Sequence, residues 1–362
     1  MAFSFGFSGD DIDIDDSETT SNVQNVQGPP ARSNSLPELV KASRHSIDEW
    51  LSVLPSQISF NRLSIGSTPL VIARRELFDI RTQLMAEDNA GQDNAELISG
   101  LDEGDLKPNF YEGGFKTWEC SLDLAKLVAD EPLVNDVQTN LHIIELGAGT
   151  AVPTLTVLAK LLTRSEPTEA SPTRKTLLTF ADYNDSVLRL VTLPNIILTW
   201  YGSRTWPTAQ VSMEGATQDQ SEQELDITSE LISEFKADLA RRGITINFIS
   251  GAWSPEFVDM VFSAQDSEYQ TLLLASETIY SPSSLRAFSE TLVSLLRGSG
   301  TASAKSRALI AAKKVYFGVG GGVDEFLSVL KDVSGDLEIQ QKLDVQSEGV
   351  GRVVLGVKPP LL

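Results

Sequence analysis

Five short apolar runs recur from residue 141 onward, and most of them are followed by a polar turn and a helical pattern. They occupy residues 141–146, 177–181, 244–249, 271–275 and 307–317. Continuous apolar runs of this length are typical of parallel strands buried on both faces. Two further strands, at 337–343 and 351–358, have no helix between them, which predicts an antiparallel hairpin. The pattern predicts an α/β fold with a Rossmann-like sheet of seven strands, mostly parallel, that ends in this hairpin.

The chain before residue 111 lacks this regular alternation. Residues 1–36 are acidic and then rich in serine, asparagine, glutamine and proline, which predicts a disordered tail. Residues 37–110 are interpreted as an N-terminal extension and linker, with a helical segment that Pro55 ends. Residues 111–362 are predicted to form the main domain, with an insertion at about 201–224 and an amphipathic helix over 225–242.

Charge narrows the choice of partners. The 362 residues carry a formal net charge of −21, which argues against direct nucleic-acid binding, since phosphate contacts need clustered lysine and arginine. An acidic protein is better suited to a basic protein partner. No apolar stretch is long enough to span a membrane, and a monomer is expected.

Cysteine and histidine are scarce. The one cysteine, Cys120, and the two histidines, His45 and His142, are too few for a disulfide framework or a metal cluster, so no metal site is predicted. His142 lies on the first strand and is interpreted as a packed residue. The single cysteine fits a cytoplasmic protein. The chain has no basic run, but a partner could carry it into the nucleus.

A glycine turn follows the first strand of the predicted sheet. Glu145 lies near the strand's end, Gly147 and Gly149 form the turn, and an apolar helix begins near Val152. This arrangement brings a ligand against backbone N–H groups at a helix N-terminus. A dinucleotide fingerprint would need a third glycine at Val152. The turn therefore points away from a pyrophosphate and toward S-adenosylmethionine, whose amino-acid end needs an acceptor such as Glu145.

The second and third strands also end in candidate ligand contacts. Asp182 follows the second strand, where a carboxylate can accept both hydroxyls of a ribose. Alternatively, Asp182 or Asn184 caps the helix that starts near Val187. The third strand ends in a small-residue turn before Trp253, and this turn is a candidate adenine slot in which the backbone and stacking would read the base.

Further candidates follow the fourth and fifth strands. Glu277 and Tyr280 come after the fourth strand, where parallel sheets bind ligands. Lys313 and Tyr316 close the fifth strand. Upstream, Trp118 lies at a predicted helix entry with Glu119 and Cys120 beside it, where it could roof a pocket or anchor the helix.

Taken together, these motifs resemble the eukaryotic protein-histidine N-methyltransferases, within the wider seven-strand family that methylates lysine or histidine in proteins. The resemblance is carried by residues 111–120, 144–149, 182–184, 250–253, 276–280 and 316–322. It implies methyl transfer from S-adenosylmethionine to a histidine ring nitrogen in a large-subunit ribosomal protein. The cofactor contacts that it implies, together with neighbours on the same turns, are Thr117, Trp118, Glu119, Cys120, Glu145, Gly147, Gly149, Asp182, Tyr183, Asn184, Gly251, Ala252, Trp253 and Ser276.

Two departures from the family pattern concern the choice of substrate and the adenine contact of the cofactor. Lysine-methylating relatives carry Asp-x-x-Tyr after the fourth strand, whereas this chain has Glu277 and Tyr280. Some relatives carry a carboxylate in the adenine turn, where this chain has Ala252. A neutral imidazole offers a lone pair at pH 7, so Glu277 or Tyr280 is assigned the role of accepting the other ring N–H. Tyr316 and Lys313 are assigned to the substrate pocket.

Alternatives stay open at this stage. Glu277 could only cap the following helix. The chain could be a protein-lysine methyltransferase of the same fold, or a non-catalytic module that binds the cofactor and chaperones a basic ribosomal protein. A nicotinamide dehydrogenase is disfavoured because the last glycine of its fingerprint is missing.

Overall fold

The computed structural model describes residues 40–66, 68–89, 97–98, 101, 113–136, 138–164, 174–206, 223–298, 306–317, 320–346 and 349–360. The tail predicted at 1–36 and most of the insertion predicted at 201–224 lie outside these residues. No helix in this part of the chain combines the length and the apolar character needed to cross a bilayer.

The central sheet confirms the α/β prediction but has eight strands, not seven, among the described residues. The strands are β1 (Ser43–His45), β4 (Leu141–Leu146), β5 (Thr176–Asp182), β7 (Ile244–Ser250), β8 (Gln270–Ser276), β9 (Arg307–Lys313), β10 (Glu338–Val345) and β11 (Arg352–Lys358). Their spatial order is β1-β7-β5-β4-β8-β9-β11-β10. The inner five, from β7 to β9, are parallel, and β10 and β11 form the predicted antiparallel hairpin. β9 ends at Lys313 rather than at residue 317.

The additional strand comes from the predicted extension. β1 pairs antiparallel with β7, with Ser43 opposite Ser250 and His45 opposite Phe248. It consists of three polar residues with no apolar alternation, so the hydrophobic pattern could not reveal it. Because β1 runs against β7, the residues just before it lie at the carboxyl end of β7.

A second sheet in the described part of the chain consists of β2 (Gln57–Ser64), β3 (Val71–Arg75) and β6 (Gln223–Asp226). Its spatial order is β3-β2-β6. The helix predicted over 225–242 therefore begins later, at Ser229, where the Thr228 hydroxyl accepts a hydrogen bond from the Leu231 N–H and caps it. The start of that prediction is wrong because Gln223–Asp226 pairs with β2 instead.

Helices cover the faces of the central sheet. Those described span Ile47–Ser52, Leu77–Asn89, Glu119–Val128, Pro132–Asn135, Val152–Leu162, Asp185–Val187, Leu193–Thr205, Ser229–Arg241, Pro255–Ser263, Pro282–Arg297 and Val323–Val333, with one π-helical stretch at Leu188–Thr192. Residues on both sides of position 111 share one apolar core, in which Ile58 and Phe60 belong to the same cluster as Leu155 and Ile197.

Candidate functional site

The glycine turn after β4 requires its glycines. Gly147 and Gly149 have φ angles of 66° and 51°, a left-handed region that costs a side-chain-bearing residue energy. A Cβ on Gly147 would lie 2.7 Å from Thr278 Cγ2, and one on Gly149 would lie 3.3 Å from Gly114 Cα. The turn is therefore packed between the loop after β8 and the segment that contains Gly114.

Glu145 is buried directly beneath this turn. Its Oε2 accepts a hydrogen bond from the Thr154 N–H at 3.0 Å, whereas Oε1 has no partner among the described residues. Burial raises the pKa of Glu145 to about 8, and the charge of Asp182 adds to the rise. An unpartnered acceptor of this kind is costly unless a ligand satisfies it. A cationic ammonium group is a suitable ligand.

Asp182 braces the glycine turn. Its Oδ2 accepts from the Gly149 N–H at 3.0 Å, and its Oδ1 accepts from the Asn184 N–H at 3.2 Å. A carboxylate oxygen can accept more than one hydrogen bond, so these bonds are compatible with a ribose contact. Asn184 occupies the N-cap position of Asp185–Val187 without a side-chain capping bond, and its Nδ2 is buried with no partner in the described part of the chain.

The turn after β7 is held by the segment before β1. The Ala252 N–H donates to the Val40 carbonyl at 2.9 Å, so the backbone donor expected to read adenine is engaged within the chain. Gly251 has φ 106° and donates its N–H to the carbonyls of Asp182 and Tyr183. The Trp253 ring packs on Phe288, with centroids 5.0 Å apart. The adenine contact stays a prediction.

A second polar cluster follows β8 and β9. Glu277, whose neighbour Thr278 lies against Gly147, has φ 57°, and its side chain is 8% exposed. Lys313 Nζ lies 3.8 Å from Glu277 Oε1. Neither oxygen of Glu277 has a hydrogen-bond partner of normal geometry within the described ranges. A non-glycine residue held at positive φ stores strain of the kind that concentrates at functional sites.

Cys120 and Tyr316 surround the same carboxylate. Burial raises the pKa of both the Cys120 thiol and the Tyr316 phenol, and the charge of Glu277 raises both further. Both groups therefore stay protonated at neutral pH. The Tyr316 hydroxyl accepts a hydrogen bond from the Lys313 N–H at 3.2 Å, and its ring meets that of Tyr280 edge-on at 6.4 Å.

Three further predicted residues, Trp118, Ser276 and Thr117, lie near this cluster or near the glycine turn. Trp118 is 37% exposed, and the Lys313 ammonium lies 5.1 Å from its ring centroid. Ser276 is half-buried as the last residue of β8, beside Glu277. Thr117 Oγ1 donates to Thr150 Oγ1 at 3.1 Å, next to the glycine turn.

Glu119, which was also predicted to contact the cofactor, pairs with a residue outside the cluster around Glu277. Its side chain is exposed, and its Oε2 lies 3.4 Å from Arg352 Nη1. The Arg352 Nε in turn donates to Asp123 Oδ2 at 2.6 Å. In this structure the Glu119 carboxylate therefore pairs with Arg352 of β11 rather than with Lys313.

Sequence reasoning missed the residues that hold the glycine turn from behind. The Thr192 hydroxyl donates to the Gly149 carbonyl at 2.7 Å, and the Asn195 Nδ2 donates to the Thr150 carbonyl at 3.1 Å. The Asn195 Oδ1 accepts from the Arg75 N–H at 2.7 Å. Both Thr192 and Asn195 are fully buried. The sequence feature that could have identified Thr192 and Asn195 is a polar side chain inside an otherwise apolar helical run.

Two further features of the described residues bear on the chemistry. No group of three or more histidine, cysteine, aspartate or glutamate side chains is arranged to hold a metal ion there. A cavity of about 350 Å³ lies at the opposite, amino-terminal edge of the sheet, and it contains none of the predicted site residues. Its lining includes Lys175, Leu177, Gly243, Ile244, Asp266 and Tyr269.

Comparison with known proteins gives relatives over nearly the whole chain. The chain is 34% identical over 360 residues to histidine protein methyltransferase 1 of Schizosaccharomyces pombe, covering 98% of this chain and 92% of that protein. It is 32% identical to the Saccharomyces cerevisiae protein of the same name, covering 92% of this chain and 91% of that protein. A Rattus norvegicus homolog is 27% identical over 94% of this chain and 81% of its own length. No protein-family model matches.

Proposed function

Because the chain belongs to the histidine protein methyltransferase 1 family, we infer that it is an S-adenosylmethionine-dependent protein-histidine N-methyltransferase. The observation that carries this inference is the glycine turn above Glu145, a fully buried carboxylate with one oxygen that no described residue pairs with. A sheet edge of this kind suits a ligand that carries an ammonium group and needs close backbone approach.

The residues present fit the cofactor. Glu145 would accept the ammonium of its amino-acid end, and Gly147 and Gly149 would leave room for it above the turn. Asp182 would accept the ribose hydroxyls, and Asn184 offers a buried amide donor that lacks a partner in the described part of the chain. When bound, the cofactor supplies an electrophilic methyl group on a sulfonium sulfur.

We assign Glu277 the role of orienting the substrate ring. A histidine ring is mostly neutral at pH 7 and needs no proton removed before its lone pair reacts. The Glu277 carboxylate would accept the other ring N–H, which fixes the tautomer and stabilises the positive charge that develops. Ser281 holds the N-cap position of the following helix, and the Glu277 oxygens make no capping bond to the described residues, which supports an orienting role over a simple helix cap. Tyr280 and Tyr316 would form the pocket wall.

The substrate is proposed to be a basic protein of the large ribosomal subunit. The formal net charge of −21 supports a basic partner, since opposite charge speeds encounter. We further propose that the protein acts as a monomer in the cytoplasm, with a nuclear fraction carried by its partner. A lysine methyltransferase and a cofactor-binding chaperone are the competing proposals, and the same experiment distinguishes them.

The test uses methyl-labelled S-adenosylmethionine, the full-length protein and an extract from cells that lack it. We expect one labelled basic protein whose hydrolysate contains methylhistidine. Methyllysine in its place would favour the lysine methyltransferase, and the absence of any labelled protein would contradict the enzymatic proposal. Labelled histidine in a protein outside the ribosome would overturn the substrate assignment alone.

Glu277→Gln tests the orienting role. Loss of a positioned proton acceptor is expected to lower turnover about 100-fold, with unchanged affinity for S-adenosylhomocysteine. Glu290→Gln is the matched control, because Glu290 is exposed on the helix Pro282–Arg297 and its Oε1 forms a surface ion pair with Arg286 Nη1, one turn away at 3.5 Å. Equal turnover of the Glu277 variant and the control would eliminate the role of Glu277.

A further inference from the structure

The Lys313 side chain places a positive charge between Glu277 and the Trp118 ring. Its Nζ lies 3.8 Å from Glu277 Oε1 and 5.1 Å from the centroid of the Trp118 ring. Its own N–H donates to the Tyr316 hydroxyl, which fixes the backbone at the end of β9. The Lys313 side chain is 21% exposed, so its ammonium is largely enclosed by these neighbours. Attraction to the aromatic face and to the carboxylate favours this one position.

The side chains that surround Lys313 and Glu277 are neutral or are balanced by other charges, so these two residues balance each other. Cys120 and Tyr316, which face Glu277 from the helix Glu119–Val128 and from the loop after β9, are neutral because their pKa values are raised. Asp123 and Glu119, on the same helix as Cys120, are balanced by two cations, Arg352 from β11 and Lys126, whose Nζ lies 3.8 Å from Asp123 Oδ1. Glu277 is therefore the acidic group that Lys313 neutralises.

Resting on the histidine methyltransferase activity proposed above, we propose that Lys313 is a specificity-determining residue. Its fixed ammonium neutralises Glu277, so that the pocket accepts a neutral imidazole and rejects the ammonium group of a lysine side chain.

The protonation states of histidine and lysine explain why the Lys313 ammonium would select histidine over lysine as the substrate. At pH 7.4 only about one lysine in 1,000 is neutral, given a pKa near 10.4, whereas most histidines are. In the reaction, the lone pair of one ring nitrogen forms the new N–C bond while the C–S bond breaks and its electron pair stays on sulfur. The proton on the other ring nitrogen passes to Glu277 and then to water. A lysine ammonium has no lone pair, and a second cation beside Lys313 would be repelled.

The experiment compares three variants on two forms of the acceptor protein identified by the labelling test. One form carries the natural target histidine, and the other carries lysine in its place. Lys313→Met removes the charge but keeps the apolar stem, and Lys313→Arg keeps the charge. Lys314→Met is the control, because Lys314 faces away toward Asp344, with Nζ 3.0 Å from Oδ2. Thermal stability and S-adenosylhomocysteine affinity are measured for each, so that a folding defect is recognised.

In wild type, Lys313→Arg and Lys314→Met, we expect the ratio of kcat/KM for the histidine form to kcat/KM for the lysine form to be at least 1,000. In Lys313→Met the uncompensated Glu277 attracts cations, so this ratio should fall at least tenfold. The acidic limb of the pH profile of kcat on the histidine form should also move to higher pH, because the pocket then favours imidazolium in the bound state.

An unchanged ratio and pH profile in a folded, cofactor-binding Lys313→Met protein would overturn the proposal. A ratio that falls equally in Lys313→Arg would overturn it as well, since the charge would then not be the cause. Failure of the wild type to methylate histidine would instead contradict the proposed function, so the two failures are distinguishable.

Discussion

Two titratable residues of β4, His142 and Glu145, are equally buried but differ in how their polar atoms are satisfied. His142 Nδ1 lies 2.9 Å from Gln265 Nε2, which can only donate, so His142 Nε2 carries the proton and donates to the Thr179 hydroxyl at 2.8 Å. Burial lowers the pKa of His142 to about 3. Every polar atom of the ring has a partner, which confirms the prediction of a packed, structural histidine.

Glu145 lies at the other end of the same strand, beneath the glycine turn. One of its oxygens has a partner and the other does not, among the residues described. Full burial is therefore not what separates a structural from a functional group on this strand. The unsatisfied atom is the distinguishing feature, since the protein alone would gain stability by pairing it.

The largest expected effect belongs to His142 and concerns stability at acid pH. Because its folded pKa is depressed below the unfolded value of 6.5, the unfolded chain binds more protons between the two values. The stabilisation is complete above pH 6.5 and is lost as the pH falls toward 3. This loss amounts to roughly 3 kcal/mol at pH 4.

Urea unfolding of wild type and His142→Asn at pH 7 and pH 4 measures this contribution. The difference in unfolding free energy between the two pH values should be smaller in His142→Asn by about that amount, because asparagine does not titrate. The same pH dependence in both proteins would show that His142 is not held neutral.

A smaller effect is expected for Gly147→Ala, at the ligand end of the strand. A non-glycine residue in the left-handed region costs roughly 1–2 kcal/mol. The new Cβ would also meet Thr278 Cγ2 at 2.7 Å. S-adenosylhomocysteine affinity should fall at least tenfold, and Gly147→Ala combined with Thr278→Ser should recover part of it.

Gly335→Ala is the control for this substitution. Its Cβ would lie at an ordinary 3.5 Å from the Lys331 carbonyl oxygen, and its affinity should match wild type. Equal affinity of Gly147→Ala and the control would mean that the turn does not approach the ligand closely.

The parts of the fold that the sequence predicts are those with a strong local pattern. Buried parallel strands are continuous apolar runs, which is why β4, β5, β7, β8 and β9 were all predicted in chain order. Their common orientation then places Glu145, Asp182, Glu277 and Lys313 at one edge of the sheet.

The parts that were missed depend on contacts distant in sequence. β1 and β6 are short and mostly polar, and each is a strand only because a partner strand supplies its hydrogen bonds. The bond between Val40 and Ala252 depends on β1 in the same way. The pairing of Lys313 with Glu277 joins the ends of two strands, and no local pattern predicts which charged side chains meet there.

The most direct test of the account is isothermal titration of S-adenosylhomocysteine into wild type and Glu145→Gln at pH 7, in buffers that differ in ionisation enthalpy. Because the pKa of Glu145 is raised to about 8, its carboxyl group is mostly protonated at that pH before binding, and an arriving ammonium group should displace the proton. We predict that wild type binds with release of up to about one proton, and that Glu145→Gln binds about 10- to 100-fold more weakly without this release. Equal affinity and equal proton release in the two proteins, or no binding to wild type, would contradict the account.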